Sequence, residues 1–190
     1  MTILDELFKL NLNLSELMLD MTPYTSEYNY NCTPLGALPF ASMGCDGVHY
    51  CIIPQEGDET LENSPIYSIS PMDFSDGTIL WTAKNFTDFI SITAILKDAW
   101  ALPALVYMQE DEFVDYLEDI ELEYEARDSK EKRDLKKELE ILTKTFPTIE
   151  ICNLFQYIKA SYLNINNHAK VKFSDLEIKE IELGHYAYGD

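Results

Sequence analysis

Cys45, His49 and Cys51 lie close together in the chain, and on an extended strand His49 and Cys51 share one face. Thiolate and imidazole are zinc ligands, so metal binding is the chemistry this trio could serve. A structural zinc site needs four ligands, no fourth is at hand, and the spacing matches no common zinc pattern. A core thiol beside a hydrogen-bonded histidine is the simpler expectation, and no metal is assigned. Nucleophilic catalysis needs a nucleophile beside a base. The other histidines, His168 and His185, lie in no known local signature, and no Gly-x-Ser-x-Gly elbow is present. No glycine-rich phosphate loop occurs either. A pair of carboxylates could hydrolyse a glycoside, but among 34 acidic residues nothing singles out such a pair. The sequence therefore assigns no catalytic residue and no cofactor.

Acidity is the stronger signal. The 190 residues carry 34 acids against 14 bases, a formal net charge of -20. Such a surface repels phosphate backbones and anionic lipid, which argues against nucleic acid and membrane as partners. It attracts and steers a basic protein instead. Between Lys9 and Lys84 there is no lysine or arginine. Within that stretch Asp46, Glu56, Asp58, Glu59, Glu62, Asp73 and Asp76 are the candidate partner-binding residues. Solubility alone would explain the same charges, and the two readings stand side by side.

Apolar residues make up 46% of the chain and aromatic residues 12%, enough for one domain with a sizeable core. No apolar run approaches the length that crosses a bilayer. Met1 to Leu19 has neither the basic start nor the unbroken apolar stretch of a secretory signal. The four cysteines form no CxxC pair, and a chain this long does not need a disulfide frame. Reduced thiols in a cytoplasmic protein are expected.

The elements that would carry these residues follow from periodicity. Apolar side chains at Ile3, Leu7, Leu10, Leu14 and Leu17 predict a helix over 3–19, capped by Thr2 with Asp5 as its partner. Residues 23–38, with Tyr24, Tyr28 and Tyr30, read as loop. Strands over 40–43 and 48–53 flank Gly44, Asp46 and Gly47, and Asp-Gly is a strong hairpin signal. The second strand is apolar on both faces, as a central strand should be. Residues 54–64 form an acidic loop, and strands follow over 66–70 and 78–83, joined by a turn containing Asp76 and Gly77. Asn85 caps a helix over 86–98, with Asp88 as cap partner. Pro103 separates it from the next helix. Two charged helices over 110–126 and 130–146 suit an antiparallel hairpin with opposite charges facing. Ile151, Phe155, Ile158 and Tyr162 continue as a further helix, and 171–181 reads as either a short strand or an extended tail. Strands followed by helices predict an α+β fold, with an antiparallel or mixed central sheet flanked by helices and a C-terminal helical extension.

The run from Pro39 to Tyr50, PFASMGCDGVHY, resembles the strand–turn–strand motif of the SMI1/KNR4 (SUKH) superfamily. Ser64 to Pro71 looks like that family's next strand with its trailing proline. Ala83 to Ile90, AKNFTDFI, looks like its strand end and following helix. The likeness covers about residues 36–100 of a single 1–190 domain, and the charged hairpin at about 108–146 lies beyond the family core. The resemblance implies an α+β fold and a non-enzymatic protein-binding role. Bacterial members look like immunity proteins that neutralise toxins, often nucleases. Fungal members are regulators that bind signalling or cell-wall-related partners, which is the alternative reading. Gly44, Asp46 and Gly47 match the family motif, and their simplest role is to shape the turn. A basic toxin domain is the expected partner, with the oligomeric state open.

Overall fold

The computed structural model describes residues 2–21, 33–44, 46–71, 78–164, 169–174, 177–180 and 186–187. Helix α1 spans Ile3–Leu10, and Thr2 and Asp5 cap it reciprocally: Asp5 N donates to Thr2 Oγ1 at 3.3 Å and Thr2 N to Asp5 Oδ2 at 2.7 Å. The helix stops nine residues short of the predicted end. Asn11 turns left-handed at φ 47°, and Leu12–Leu14 becomes strand β1. A 3-10 turn over Ser15–Leu17 and a second left-handed residue, Met18 at φ 52°, lead into β2, Leu19–Met21. A non-glycine residue in this region costs roughly 1–2 kcal/mol. Pairing of Leu12 with Met21 and Leu14 with Leu19 offsets it, since Leu14, Leu19 and Met21 are all buried. The apolar spacing that suggested one long helix serves a hairpin equally well.

The remaining strands are β3 Leu38–Ser42, β4 His49–Ile52, β5 Ile66–Ser70, β6 Thr78–Ala83, β7 Lys170–Ser174, β8 Glu177–Glu180 and β9 Tyr186–Ala187. β1 to β6 form an antiparallel meander in chain order, and β9 adds beyond β6 to complete seven strands. β7 and β8 pair with each other, so the described residues of the ambiguous 171–181 segment are strand. β4 lies fourth of the seven, and each of its residues is buried, as its two-sided apolar pattern predicts.

Both faces of the sheet are covered. On the Tyr50 face lies α2, Phe86–Leu96, with the Tyr50 and Phe89 rings 4.8 Å apart and Phe40 and Phe89 5.2 Å apart. α5, Ser129–Thr145, packs over α2 through Leu135, Leu142 and Phe146, with the Phe86 and Phe146 rings 5.3 Å apart. α2 is therefore enclosed on two sides, which explains why Asp88, Ser91 and Thr93 are buried with its apolar residues. On the opposite face α6, Leu154–Leu163, and the short α3, Leu102–Leu105, cover Trp81 and Tyr67. Trp81 meets Tyr162 at 5.5 Å, and Tyr67 Oη accepts the Ala169 N–H at 2.9 Å. Pro103 sits inside the first turn of α3 instead of separating helices, a position where its missing N–H costs no bond.

α4, Glu110–Ala126, and α5 are joined by Arg127 and Asp128 alone. Their opposite charges do not face along their length as expected. Among the described ion pairs only Lys132–Glu125, at 3.5 Å beside the turn, joins the two helices. Three other α5 lysines bind α5's own acids: Lys130 and Lys137 meet Asp134, and Lys144 meets Glu140. The reason is that α5 faces the 3-10 turn and α2, where Glu138 accepts the Leu17 N–H at 3.1 Å. The helical extension is thereby part of the same hydrophobic core as the sheet. No helix among the described residues is long and apolar enough to cross a membrane.

Candidate functional site

The acidic segment between β4 and β5 is an ordered loop with Asp58 at its centre. Asp58 Oδ2 accepts the Asn63 N–H and the Ser64 hydroxyl, both at 2.8 Å, and Oδ1 accepts the Thr60 hydroxyl at 3.1 Å. Burial alone would raise the Asp58 pKa. The hydrogen bonds from Ser64, Asn63, Thr60 and Glu62 outweigh it and hold the carboxyl below its ordinary value. Ser64 passes the network on by accepting the Gln55 N–H at 3.1 Å. Leu61, buried at φ 67°, pins the loop to the core. Asp58 thus shapes the loop, while Glu56, Glu59 and Glu62 project from it exposed. Among the described residues none of these three joins an ion pair.

One contribution was invisible in the sequence. The Ile3 N–H donates to the Thr60 carbonyl at 3.3 Å, which sets the first turn of α1 beside the loop. Asp5 and Glu6, both exposed, join the same surface, and the single base of α1, Lys9, sits in its last turn. Only a contact between residues nearly sixty positions apart could have revealed this.

Asp46 does not belong to that surface. It sits in the β3–β4 turn, at the other end of β4, and the strand between runs roughly 14 Å from His49 to Ile53. Asp46 at φ 50° and Gly47 at φ 71° are both left-handed, the conformation a tight hairpin turn demands and Asp-Gly tolerates. Gly44, at φ 78°, begins the same reversal, and the Met43 N–H closes it on the Val48 carbonyl at 3.1 Å. Asp73 and Asp76, with the turn containing Gly77, lie outside the described residues, as do Tyr24, Tyr28, Tyr30, Cys32, Cys45 and His168.

His49 is fully buried. Its Nδ1 donates to the Gly47 carbonyl at 2.7 Å and its Nε2 lies 3.3 Å from the Thr33 hydroxyl. Both ring nitrogens are therefore engaged within the protein. Burial pushes the imidazole pKa down, against a smaller upward pull from the Gly47 carbonyl. Cys51, on the same strand face, is a buried cysteine, and Cys152 is an exposed one. Among the described residues no three His, Cys, Asp or Glu side chains gather as a metal site would require.

The buried carboxylates have structural partners. Asp88 was expected to complete the Asn85 cap. Its backbone N–H does donate to Asn85 Oδ1 at 2.9 Å, but its carboxylate turns away. Oδ1 accepts the Tyr157 hydroxyl at 2.8 Å, and Oδ2 lies 3.5 Å from Lys84 Nζ. Lys84 also donates to Tyr157 Oη, so the three groups tie α6 to the β6–α2 corner. Burial pushes Asp88 up despite these partners, because the carboxylate is only 2% exposed. Burial likewise pulls Lys84 down, but Tyr157 and Asp88 together outweigh it at this more exposed end and hold the ammonium above its ordinary value. Asp98 is raised by burial at the end of α2, with the Trp100 N–H donating to it at 2.8 Å. Glu138 is raised by burial under the 3-10 turn.

Set beside protein-family models, curated proteins and solved structures, the chain finds no significant match in any of the three.

Proposed function

We propose that this chain is a non-enzymatic protein-binding module, an immunity-type protein that neutralises a cognate toxin by docking its basic domain. The observation that carries this is the surface formed by the 54–64 loop and the first turn of α1. It presents Asp5, Glu6, Glu56, Glu59 and Glu62 on a backbone already ordered by Asp58. A preformed acidic surface costs little ordering entropy on docking and accelerates encounter with a cationic partner. A nuclease that grips phosphate through basic side chains is a partner of the matching sign. The resemblance of residues 39–50 and 83–90 to the SUKH motifs supports the same role, and a cytoplasmic location fits a protein that meets such a toxin inside the cell.

The test is affinity capture from the source cells at low and moderate salt, followed by kinetics with the captured partner. A secreted protein with a basic C-terminal toxin domain is the expected catch. Glu56→Lys, Glu59→Lys and Glu62→Lys together should then slow its association at least about tenfold at low salt, with the gap closing as salt rises. Asp58 is left intact because it holds the loop. Capture of signalling or cell-wall proteins alone would favour the regulatory alternative, and unchanged association would remove this surface from the reading.

A further inference from the structure

The outward side of α4 combines exposed aliphatic side chains with carboxylates. Its inward side is spent on the body of the protein. Phe113 is 2% exposed and meets the Phe155 ring at 5.4 Å, and Tyr124 lies beneath Lys97 Nζ at 4.3 Å. Facing outward, Val114 is 49% exposed and Leu122 is 68% exposed. These two line a shallow groove with Leu117, Glu118, Glu121 and Glu125. The six positions fall at i, i+3, i+4, i+7, i+8 and i+11, a single stripe along one face of a helix. A helix that needed only to be soluble would carry polar side chains at positions 114 and 122.

The chemistry of the stripe selects its occupant. α4 holds nine acids and no base. Glu121 is paired with Lys97 at 2.9 Å and Glu125 with Lys132 at 3.5 Å, whereas Glu118 joins no ion pair among the described residues. A second copy of α4 laid on this face would bring carboxylate against carboxylate, and anionic lipid or nucleic acid would be repelled in the same way. Val114 to Leu122 spans roughly 12 Å of helix axis, which suits apolar anchors at i, i+3 or i+4, and i+7 of an incoming helix. We infer that the outer face of α4 is a docking groove for a cationic amphipathic helix of a partner protein. Its aliphatic side chains would cover Val114 and Leu122, and its flanking Lys or Arg would meet Glu118 and the neighbouring acids. This surface shares no residue with the 54–64 loop and stands whether or not that loop binds a toxin.

The test uses the full chain and a synthetic 18-residue helical peptide with leucines at that spacing and lysines elsewhere. A scrambled peptide of the same composition is the control. Binding is read by fluorescence anisotropy at moderate salt, and the site by amide shift changes in NMR. The patterned peptide should bind at least tenfold tighter than the scrambled one, with shifts centred on α4. The double variant Val114→Gln, Leu122→Gln alters only exposed positions and should abolish that preference while its melting temperature stays unchanged. The Glu56→Lys, Glu59→Lys, Glu62→Lys variant should keep the preference. Equal binding of the two peptides, an unaffected preference in the double variant, or shifts centred away from α4 would each overturn the inference. So would a dimer of the parent chain that dissociates on Leu122→Gln, because a second copy would then be the occupant.

Discussion

Replacing Tyr157 by Phe deletes one hydroxyl from the cluster that joins α6 to the β6–α2 corner, and its cost can be worked from the geometry. In the parent the hydroxyl donates to Asp88 Oδ1 at 2.8 Å and accepts from Lys84 Nζ. Asp88 is 2% exposed, so once the hydroxyl is gone water reaches Oδ1 poorly, and Lys84 at 3.5 Å from Oδ2 is the remaining partner. A hydrogen bond to a charged group contributes about 1.5–3 kcal/mol, one to two powers of ten in the folding equilibrium. With a urea slope of roughly 2 kcal/mol per molar, the unfolding midpoint should fall by roughly 0.75–1.5 M. Asp88→Asn supplies the control. Burial disfavours the carboxylate more than its partners favour it, so a neutral side chain of the same shape should cost less than Tyr157→Phe at pH 7. In the Asp88→Asn background the further change Tyr157→Phe should cost markedly less than it does alone, because the charge that needed the donor is gone. The assay is equilibrium urea unfolding of the four proteins, followed by circular dichroism. A midpoint for Tyr157→Phe within roughly 0.25 M of the parent, or strict additivity in the double variant, would refute the claim that this cluster clamps α6.

Two further outcomes follow from the packing and from burial. Leu142 is fully buried on α5, so Leu142→Ala should destabilise the protein by about 2–5 kcal/mol and lower its melting temperature by roughly 4–20 °C, measured by calorimetry. A loss below about 1 kcal/mol would mean that α5 is an appendage and not part of the core. His49 has its pKa depressed by burial, so the folded protein binds fewer protons than the unfolded chain near pH 6.5. Stability should therefore be full above the unfolded value of 6.5 and fall as pH drops through it towards the lower folded value. His49→Gln should flatten that part of the profile between pH 7.5 and pH 5.5, and an unchanged slope in urea midpoints would show that His49 is not the responsible group.

Local chemistry was enough for much of this protein. Asn85 marks the start of α2 because its side chain needs only the N–H of Asp88, three residues on. Asp46 and Gly47 mark a hairpin because their own backbone angles make the turn, and the strands expected over 66–70 and 78–83 match the observed bounds of β5 and β6. The two-sided apolar pattern of β4 placed it in the middle of the sheet. The net charge of -20 needed no coordinate to state the sign of the field around the chain. Nonlocal contacts decided the rest. Leu10, Leu14 and Leu17 fit a helical stripe, and only pairing of β1 with β2 and burial of Leu14, Leu19 and Met21 turned the segment into a hairpin. The Asp88 carboxylate left its expected cap because Tyr157, far along the chain, offered a hydroxyl donor. The seven candidate acids all fall within residues 46–76, yet opposite ends of an antiparallel strand separated Asp46 from the 54–64 loop, while a single backbone hydrogen bond brought Asp5 and Glu6 to it. The apolar exposure of the outer face of α4 became visible only once Phe113 and Tyr124 had defined which side the core occupies. A sequence records which groups can interact over a few residues, and the choice among distant partners is made by the packing that excludes water from all of them at once.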